Sequence, residues 1–170
     1  MIGFFIVFYT SGILAKQDAV NIYEAPRKLP VRTIYYEGGK KVFLSDYKGE
    51  FLIVVFWSKK CAVCIRELDD LNNFSNIVKD SGIRVIAISP ASEWTDFLQT
   101  KAFLRRWKAP DLEVYLDEGG GLAADFGVHS TPHNVLINKK GEEIGRIRGG
   151  ADWDDPEIIE YIYRIKAKHG

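Results

Sequence analysis

Cys61 and Cys64 are the only cysteines among the 170 residues of this chain, and two residues separate them. Residues 51–57 before them are all apolar and rich in β-branched and aromatic types, which predicts a strand covered on both faces. After the cysteines, apolar residues recur at nearly helical spacing, namely Ile65, Leu68, Leu71, Phe74 and Ile77. The cysteine pair is therefore predicted to lie where a buried strand ends and a helix begins.

Such a position favours a reactive thiol at Cys61. The first turn of a helix has unpaired N–H groups and a partial positive charge, and both stabilise an anion. Lys59 and Lys60 add positive charge beside the cysteine. Because the thiolate is the nucleophilic form, we expect Cys61 to attack disulfides near neutral pH. Cys64 lies one helical turn further on and can close a disulfide with Cys61.

The arrangement favours a dithiol/disulfide redox centre. Two alternatives stay open on these residues alone, half of a zinc site and a pair of buried structural thiols. The length suits one domain with a sizeable core, and the charge is balanced, with 23 basic and 23 acidic residues. Because no basic stripe is present, the composition gives no indication of nucleic-acid binding.

The chain begins with an apolar run at residues 2–15. It is shorter than the about 20 residues of a membrane-spanning helix, and its length is typical of the core of an export signal. We predict a signal peptide or short membrane anchor at residues 1–15, with Ala15 as the cleavage point, although no Lys or Arg precedes the run. A buried N-terminal strand is the alternative. Export would place the cysteines in an oxidising compartment, where they need an electron partner.

Residues 16–30 are polar, contain two prolines and are predicted to be a linker, so that the folded domain comprises residues 31–170. It begins with a predicted β-hairpin, and the strand–helix–strand order around the cysteines predicts a βαβ unit with parallel strands. The remaining elements are a helix at 94–107, a strand at 114–116, a helix at 122–126, a hairpin of 133–138 with 143–148, and a helix from Pro156. This order supplies helices for both faces of one sheet.

Four stretches resemble the thioredoxin fold and, more closely, the TlpA/ResA/DsbE-like group of exported thiol–disulfide oxidoreductases. They are the lead-in 38–49, the strand and CxxC at 55–64, the Gly-Val-His-Ser-Thr-Pro segment 127–132, and 149–156 with Trp153. The resemblance spans roughly residues 31 to 168. It implies an α/β, thioredoxin-like three-layer sandwich, with a central mixed β-sheet, helices on both faces and an N-terminal β-hairpin.

The resemblance also implies catalytic roles. Cys61 would be the attacking cysteine and Cys64 the resolving one, and the redox-active disulfide between them would need no further cofactor. Glu67 matches a glutamate that the family places near the dithiol and would help to move the proton that leaves Cys64. A solvated acid in the first helical turn is the other interpretation of Glu67. Lys60 would favour the thiolate of Cys61.

Substrate binding is implied for Trp57 and for a cis-proline loop at Thr131 and Pro132. A cis peptide bond is accessible almost only before proline, and the loop would offer the Thr131 backbone to a substrate strand. The chain departs from the family at the CxxC, because Lys60 stands where a tryptophan is usual and Ala62-Val63 contains no proline. These departures leave the redox potential and the direction of electron transfer open.

The function implied is electron exchange with exported client proteins, for example an apocytochrome or a copper-site protein, in the periplasm or another extracytoplasmic compartment. A membrane electron donor such as a DsbD-like protein would be the other partner. A Cu(I)- or Zn-binding metallochaperone is the alternative, with His129 or His133 joining Cys61 and Cys64 as ligands. The other interpretation of the two histidines, as surface or capped residues, is the one that the sequence favours. The PxxxTxxC pattern that a peroxidase site of the peroxiredoxin kind would show is absent before Cys61.

Overall fold

An eight-stranded mixed sheet forms the centre of the computed structural model, which describes residues 20–170. The predicted signal or anchor at residues 1–15 lies outside the described residues. The strands are β1 Val20–Lys28, β2 Ile34–Tyr36, β3 Lys40–Val42, β4 Phe51–Phe56, β5 Ile83–Pro90, β6 Val114–Asp117, β7 His133–Ile137 and β8 Glu142–Arg148. The helices are α1 Ala62–Val78, α2 Phe97–Arg106, α3 Gly121–Asp125 and α4 Pro156–His169.

Strand β4 is the middle of the sheet, whose order is β1-β8-β7-β4-β5-β6-β2-β3. It runs parallel to β5 and antiparallel to β7. All six of its residues are buried, as the unbroken apolar run predicts for a strand covered on both faces. The parallel β4–α1–β5 unit predicted from the sequence is confirmed.

Helices cover both faces of the sheet, so the predicted fold class is confirmed. Alternate β4 residues point to opposite faces. Phe51, Ile53 and Val55 join one apolar cluster with residues of α1, α2 and α4, whereas Leu52 and Val54 join a second cluster with residues of α3. Within residues 20–170, no helix is both long enough and apolar enough to cross a membrane.

The prediction of a linker at residues 16–30 needs correction. Val20–Lys28 form strand β1, which runs antiparallel to β8. The sequence signal for this strand was weak, because most β1 side chains are exposed and Pro26 interrupts the alternation of apolar and polar residues. Proline is tolerated on an edge strand, and the register of β1 shifts between Ile22 and Arg27. The folded unit therefore begins before residue 31.

Candidate active site

The cysteine pair lies at the junction predicted from the sequence and forms a disulfide. Cys61 is the N-cap of α1, in an extended backbone conformation, and the N–H of Cys64 donates a hydrogen bond to the Cys61 Sγ at 3.1 Å. A backbone donor on this sulfur stabilises the negative charge that it carries once the disulfide opens. The first turn of α1 therefore supplies part of the activation expected of Cys61.

The two sulfurs differ in access. The Cys64 side chain belongs to the core and is 3% exposed, packed with Leu68 and Trp57, whereas Cys61 is partly exposed. An external thiol or disulfide can reach Cys61 but not Cys64 without a local opening. This asymmetry suits an attacking and a resolving cysteine.

The Thr131–Pro132 peptide bond is cis, as the resemblance implied. The Thr131 carbonyl oxygen lies 3.3 Å from the Cys61 Sγ. Sheet register explains the approach, since Phe56 at the end of β4 lies opposite His133 at the start of β7. The segment before β7 therefore meets the segment after β4, which contains the cysteines.

Glu93 holds the loop between β4 and Cys61, a role that motif reasoning missed. Its carboxylate accepts hydrogen bonds from the Ser58 hydroxyl at 2.6 Å and from the Lys59 N–H at 2.9 Å. The Lys59 ammonium also lies 4.7 Å from the ring centroid of Trp94. One signal for this contact was available, because parallel strands β4 and β5 end at the same sheet edge and bring the loops after them together.

Lys60 and Trp57 differ in exposure, since Lys60 lies at the surface and Trp57 is buried. Lys60 is exposed beside Cys61, and its N–H donates to the Ser58 Oγ at 3.0 Å. Trp57 is 2% exposed and packs against Trp94 with the ring planes tilted by 51° and the centroids 5.7 Å apart. The loop before Cys61 is thus anchored on an aromatic core, and Trp57 also lines a neighbouring cavity.

That cavity, of about 230 Å³, lies beside the cis-proline loop. Its wall is mainly apolar and includes Phe56, Ile88, Pro90, Ala123, Val128 and Thr131. An apolar side chain of a bound polypeptide can be buried there, next to the Thr131 backbone.

Glu67 is half-buried on the side of α1 that also carries Cys64, three residues earlier. Burial raises the pKa of its carboxyl to about 7, while interactions with the Ala151 backbone and the Trp153 indole partly offset the shift. Gly150 covers the carboxylate so closely that a Cβ there would overlap Oε1. A carboxyl with a pKa near neutrality can both take up and release a proton at physiological pH.

The structure does not gather the ligands of the metallochaperone alternative. In the described part of the chain, the only group of three or more potential ligands within metal-binding range is Asp70, Asp152 and Asp154. The Arg146 guanidinium lies 3.3 Å from His133 Nε2, which must act as the acceptor because arginine has only donors. That nitrogen is therefore occupied, and His129 is exposed on the neighbouring loop.

Comparison with known proteins gives consistent results. A family model described as Redoxin matches residues 24–162. A thiol-disulfide oxidoreductase ResA of Bacillus cereus is 31% identical over 156 residues, which cover 91% of this chain and 84% of that protein. Its counterpart in Bacillus thuringiensis subsp. konkukian has the same identity and coverage.

Solved structures share the fold at lower identity. StoA from Bacillus subtilis superposes with a TM-score of 0.62 at 20% identity, covering 81% of this chain and 99% of StoA. The pneumococcal exposed lipoprotein thioredoxin from Streptococcus pneumoniae gives 0.62 at 22% identity, covering 78% of this chain and 99% of that one.

Proposed function

Because this chain belongs to the Redoxin family and is a thiol–disulfide oxidoreductase of the ResA type, we propose that it reduces disulfides in exported client proteins. The observation that carries the proposal is the asymmetry of the cysteine pair. Cys61 is accessible, capped by a backbone N–H and close to a cis-proline loop, whereas Cys64 is buried behind it.

In the dithiol form, the Cys61 thiolate attacks one sulfur of a client disulfide. A bond forms between Cys61 and that sulfur, the client S–S bond breaks, and the departing client thiolate takes up a proton. Cys64 then loses its proton and attacks the Cys61 Sγ, which restores the Cys61–Cys64 disulfide and releases the second client sulfur as a thiolate that takes up a proton. Two electrons and two protons pass to the client, and the protein is left oxidised.

Glu67 is the proposed acceptor of the Cys64 proton. Cys64 is buried, so its thiol cannot readily lose a proton to bulk water. The Glu67 carboxyl lies on the same side of α1, and its pKa of about 7 suits transfer at neutral pH. The interpretation of Glu67 as a solvated first-turn acid is not supported, because Glu67 is half-buried and lies beyond the first turn of α1.

Thr131, Pro132 and the adjoining cavity are proposed to bind the client segment that carries the disulfide. The Thr131 carbonyl lies beside the attacking sulfur, and the cavity wall offers apolar surface for a neighbouring side chain. Lys60, exposed next to Cys61, adds positive charge where the thiolate forms. Trp57 supports this loop from below.

The location and partners form a further part of the proposal. The apolar N-terminal segment of the sequence would direct export or anchor the protein, so that it acts in the periplasm or another extracytoplasmic compartment. The name of the pneumococcal relative, an exposed lipoprotein, supports this location. A membrane dithiol donor of DsbD type would return the protein to its reduced form, and clients in cytochrome c or copper-site maturation would consume its electrons.

Trapping tests the proposal directly. Cys64→Ser removes the resolving thiol, so the mixed disulfide between Cys61 and the client should accumulate and be recovered from cell extracts under non-reducing conditions. Cys61→Ser is the matched control and should trap none. Equal trapping by both variants, or none by either, contradicts the assigned roles.

A further inference from the structure

A second cavity, of about 380 Å³, shares residues 129–130 of its lining with the apolar cavity. His129 and Ser130 line both cavities and directly precede Thr131, whose carbonyl meets the Cys61 Sγ. An extended polypeptide advances about 3.3 Å per residue. A segment bound along the cis-proline loop therefore passes the second cavity within a few residues of its reacting cysteine.

Three neighbouring strands build the positive wall of this cavity. In the antiparallel register, His133 lies opposite Arg148, and Asn21 lies opposite Arg146. Directly opposed residues project from the same face of a sheet, so these side chains converge. Arg27, the third arginine of the wall, comes from the end of β1.

One of the three arginines, Arg146, is paired with a buried carboxylate, that of Glu143. Glu143 is 3% exposed and accepts hydrogen bonds from Arg146 Nε and from the Tyr23 hydroxyl, both at 2.7 Å. Arg146 also donates to His133, so its guanidinium is occupied by neighbours within the wall. The Arg146–Glu143 pair is thus balanced, and only its arginine lines the cavity.

The other two cations remain available. Neither Arg27 nor Arg148 forms an ion pair with any residue in the range 20–170, and both are exposed. The Arg27 guanidinium is held over the Tyr23 ring, with its Cζ 3.9 Å from the ring centroid. Burial lowers the pKa of His133, and the charges of Arg146 and Arg148 lower it further.

We propose that this cavity, termed the basic cavity, binds a carboxylate side chain of the client, so that clients with an acidic residue near the reacting cysteine are preferred. Arg148 and Arg27 would hold the carboxylate, since a guanidinium offers paired donors that match its two oxygens. The proposal rests on the disulfide-reductase function above and adds a substrate preference to it.

Matched peptides test the preference. Each synthetic disulfide peptide carries one Glu within three residues of the reacting cysteine, and its partner carries Gln there. The wild-type protein should reduce at least one Glu peptide with a kcat/KM about fivefold above that of its Gln partner, as expected for a partly exposed charge pair. Arg148→Gln should bring this ratio close to one.

Lys140→Gln is the control, because it also removes one exposed positive charge but lies in the turn at the far end of the β7–β8 hairpin. It should keep the wild-type ratio. Equal rates for every Glu and Gln pair with the wild-type protein would overturn the proposal. An equal fall of the ratio in both variants would overturn it too, because the preference would then reflect overall charge.

A binding measurement separates this proposal from the redox function. Peptides with serine in place of cysteine are titrated into the oxidised protein, and inorganic phosphate is titrated alone. Tighter binding of the Glu peptide, abolished by Arg148→Gln, supports the basic cavity even if no peptide is reduced. Phosphate binding without any difference between Glu and Gln peptides would overturn the proposal, because the cavity would then take a free oxyanion.

Discussion

Two half-buried charged groups lie at opposite ends of the parallel strands, and their surroundings differ completely. Arg84, near the start of β5, is surrounded by partners, whereas Glu67, on α1 near the end of β4, has no ion pair among residues 20–170. The first arrangement stabilises the fold. The second leaves a carboxyl whose proton affinity is set by burial, on the side of α1 that also carries Cys64.

All three guanidinium nitrogens of Arg84 donate hydrogen bonds. Nε and NH2 donate to Glu50 at 3.0–3.1 Å, NH1 donates to Glu113 at 2.8 Å, and the Tyr115 hydroxyl also donates to Glu113. Burial alone would lower the pKa of Arg84, but the two carboxylates raise it. A charge that is paired this fully remains ionised and takes no part in proton transfer.

Glu67 shows the reverse. Burial raises the pKa of its carboxyl to about 7, and the contacts to Ala151 and Trp153 compensate only in part. Ionised Glu67 therefore costs folding free energy at high pH. Within residues 20–170, Arg84 therefore has two carboxylate partners, whereas Glu67, the proposed proton acceptor, has no ion pair.

The largest effect is expected from Glu67→Gln. Gln has the shape of the protonated acid but cannot accept the proton of Cys64, so the rate of client release from the mixed disulfide at pH 7 should fall at least tenfold. The dependence of this step on a group with a pKa near 7 should also disappear. Glu37→Gln, in the exposed turn between β2 and β3, is the control and should keep the wild-type rate and pH profile. An unchanged profile in Glu67→Gln would assign Glu67 a structural role.

Stability should change in opposite directions at the two sites. The folded pKa of Glu67, about 7, lies above its ordinary value of 4.5, so its neutral form favours folding below pH 4.5 and this contribution is lost as the pH rises through 7. Glu67→Gln should therefore be about 1–2 kcal/mol more stable than wild type at pH 8, after allowing for solvent screening, and equally stable near pH 4.

Arg84→Met should destabilise the protein by about 1–2 kcal/mol at pH 8, because Glu50 and Glu113 lose their common partner. Urea unfolding of both variants beside wild type measures the two effects. Destabilisation by Glu67→Gln at pH 8 would mean that the ionised carboxylate is satisfied, and would remove the distinction between the sites.

A smaller effect is expected from Gly150→Ala. The added Cβ overlaps Oε1 of Glu67, the far end of a side chain that can rotate, so the carboxyl should shift at little cost in stability. The rate of the Cys64 step should fall about threefold if proton transfer depends on this position. Stopped-flow reduction of a model disulfide gives the rate. Equal rates in Gly150→Ala and wild type would show that the covered position of Glu67 does not matter.

Several features of the site could be predicted because local sequence carries them. The apolar run of β4 and the helical spacing after Cys61 each act over a few residues, and the structure confirms the strand and the helix. The cis bond before Pro132 was implied by the family resemblance, because a proline permits a cis bond without requiring one. Strand β1 could not be predicted in the same way. Its side chains are largely exposed, so it has no strong alternation, and its hydrogen bonds go to β8 at the other end of the chain.

Contacts between distant segments were also missed, because local sequence does not carry them. Glu93 meets Ser58, and Gly150 covers Glu67, only because the fold brings separate loops to one edge of the sheet. The basic cavity likewise combines Arg27 with Arg148 from different strands. Sequence spacing identifies the cysteine pair, whereas the groups that surround it are brought there by tertiary contacts.

The central claim is that the cysteines are unequal, with Cys61 accessible and activated and Cys64 buried. Brief alkylation of the fully reduced wild-type protein with iodoacetamide at about pH 6, followed by peptide mass spectrometry, measures this directly. We predict that Cys61 is modified first and that Cys64 reacts only after the protein is unfolded. Modification of Cys64 before Cys61, or of both at the same rate, would contradict the account.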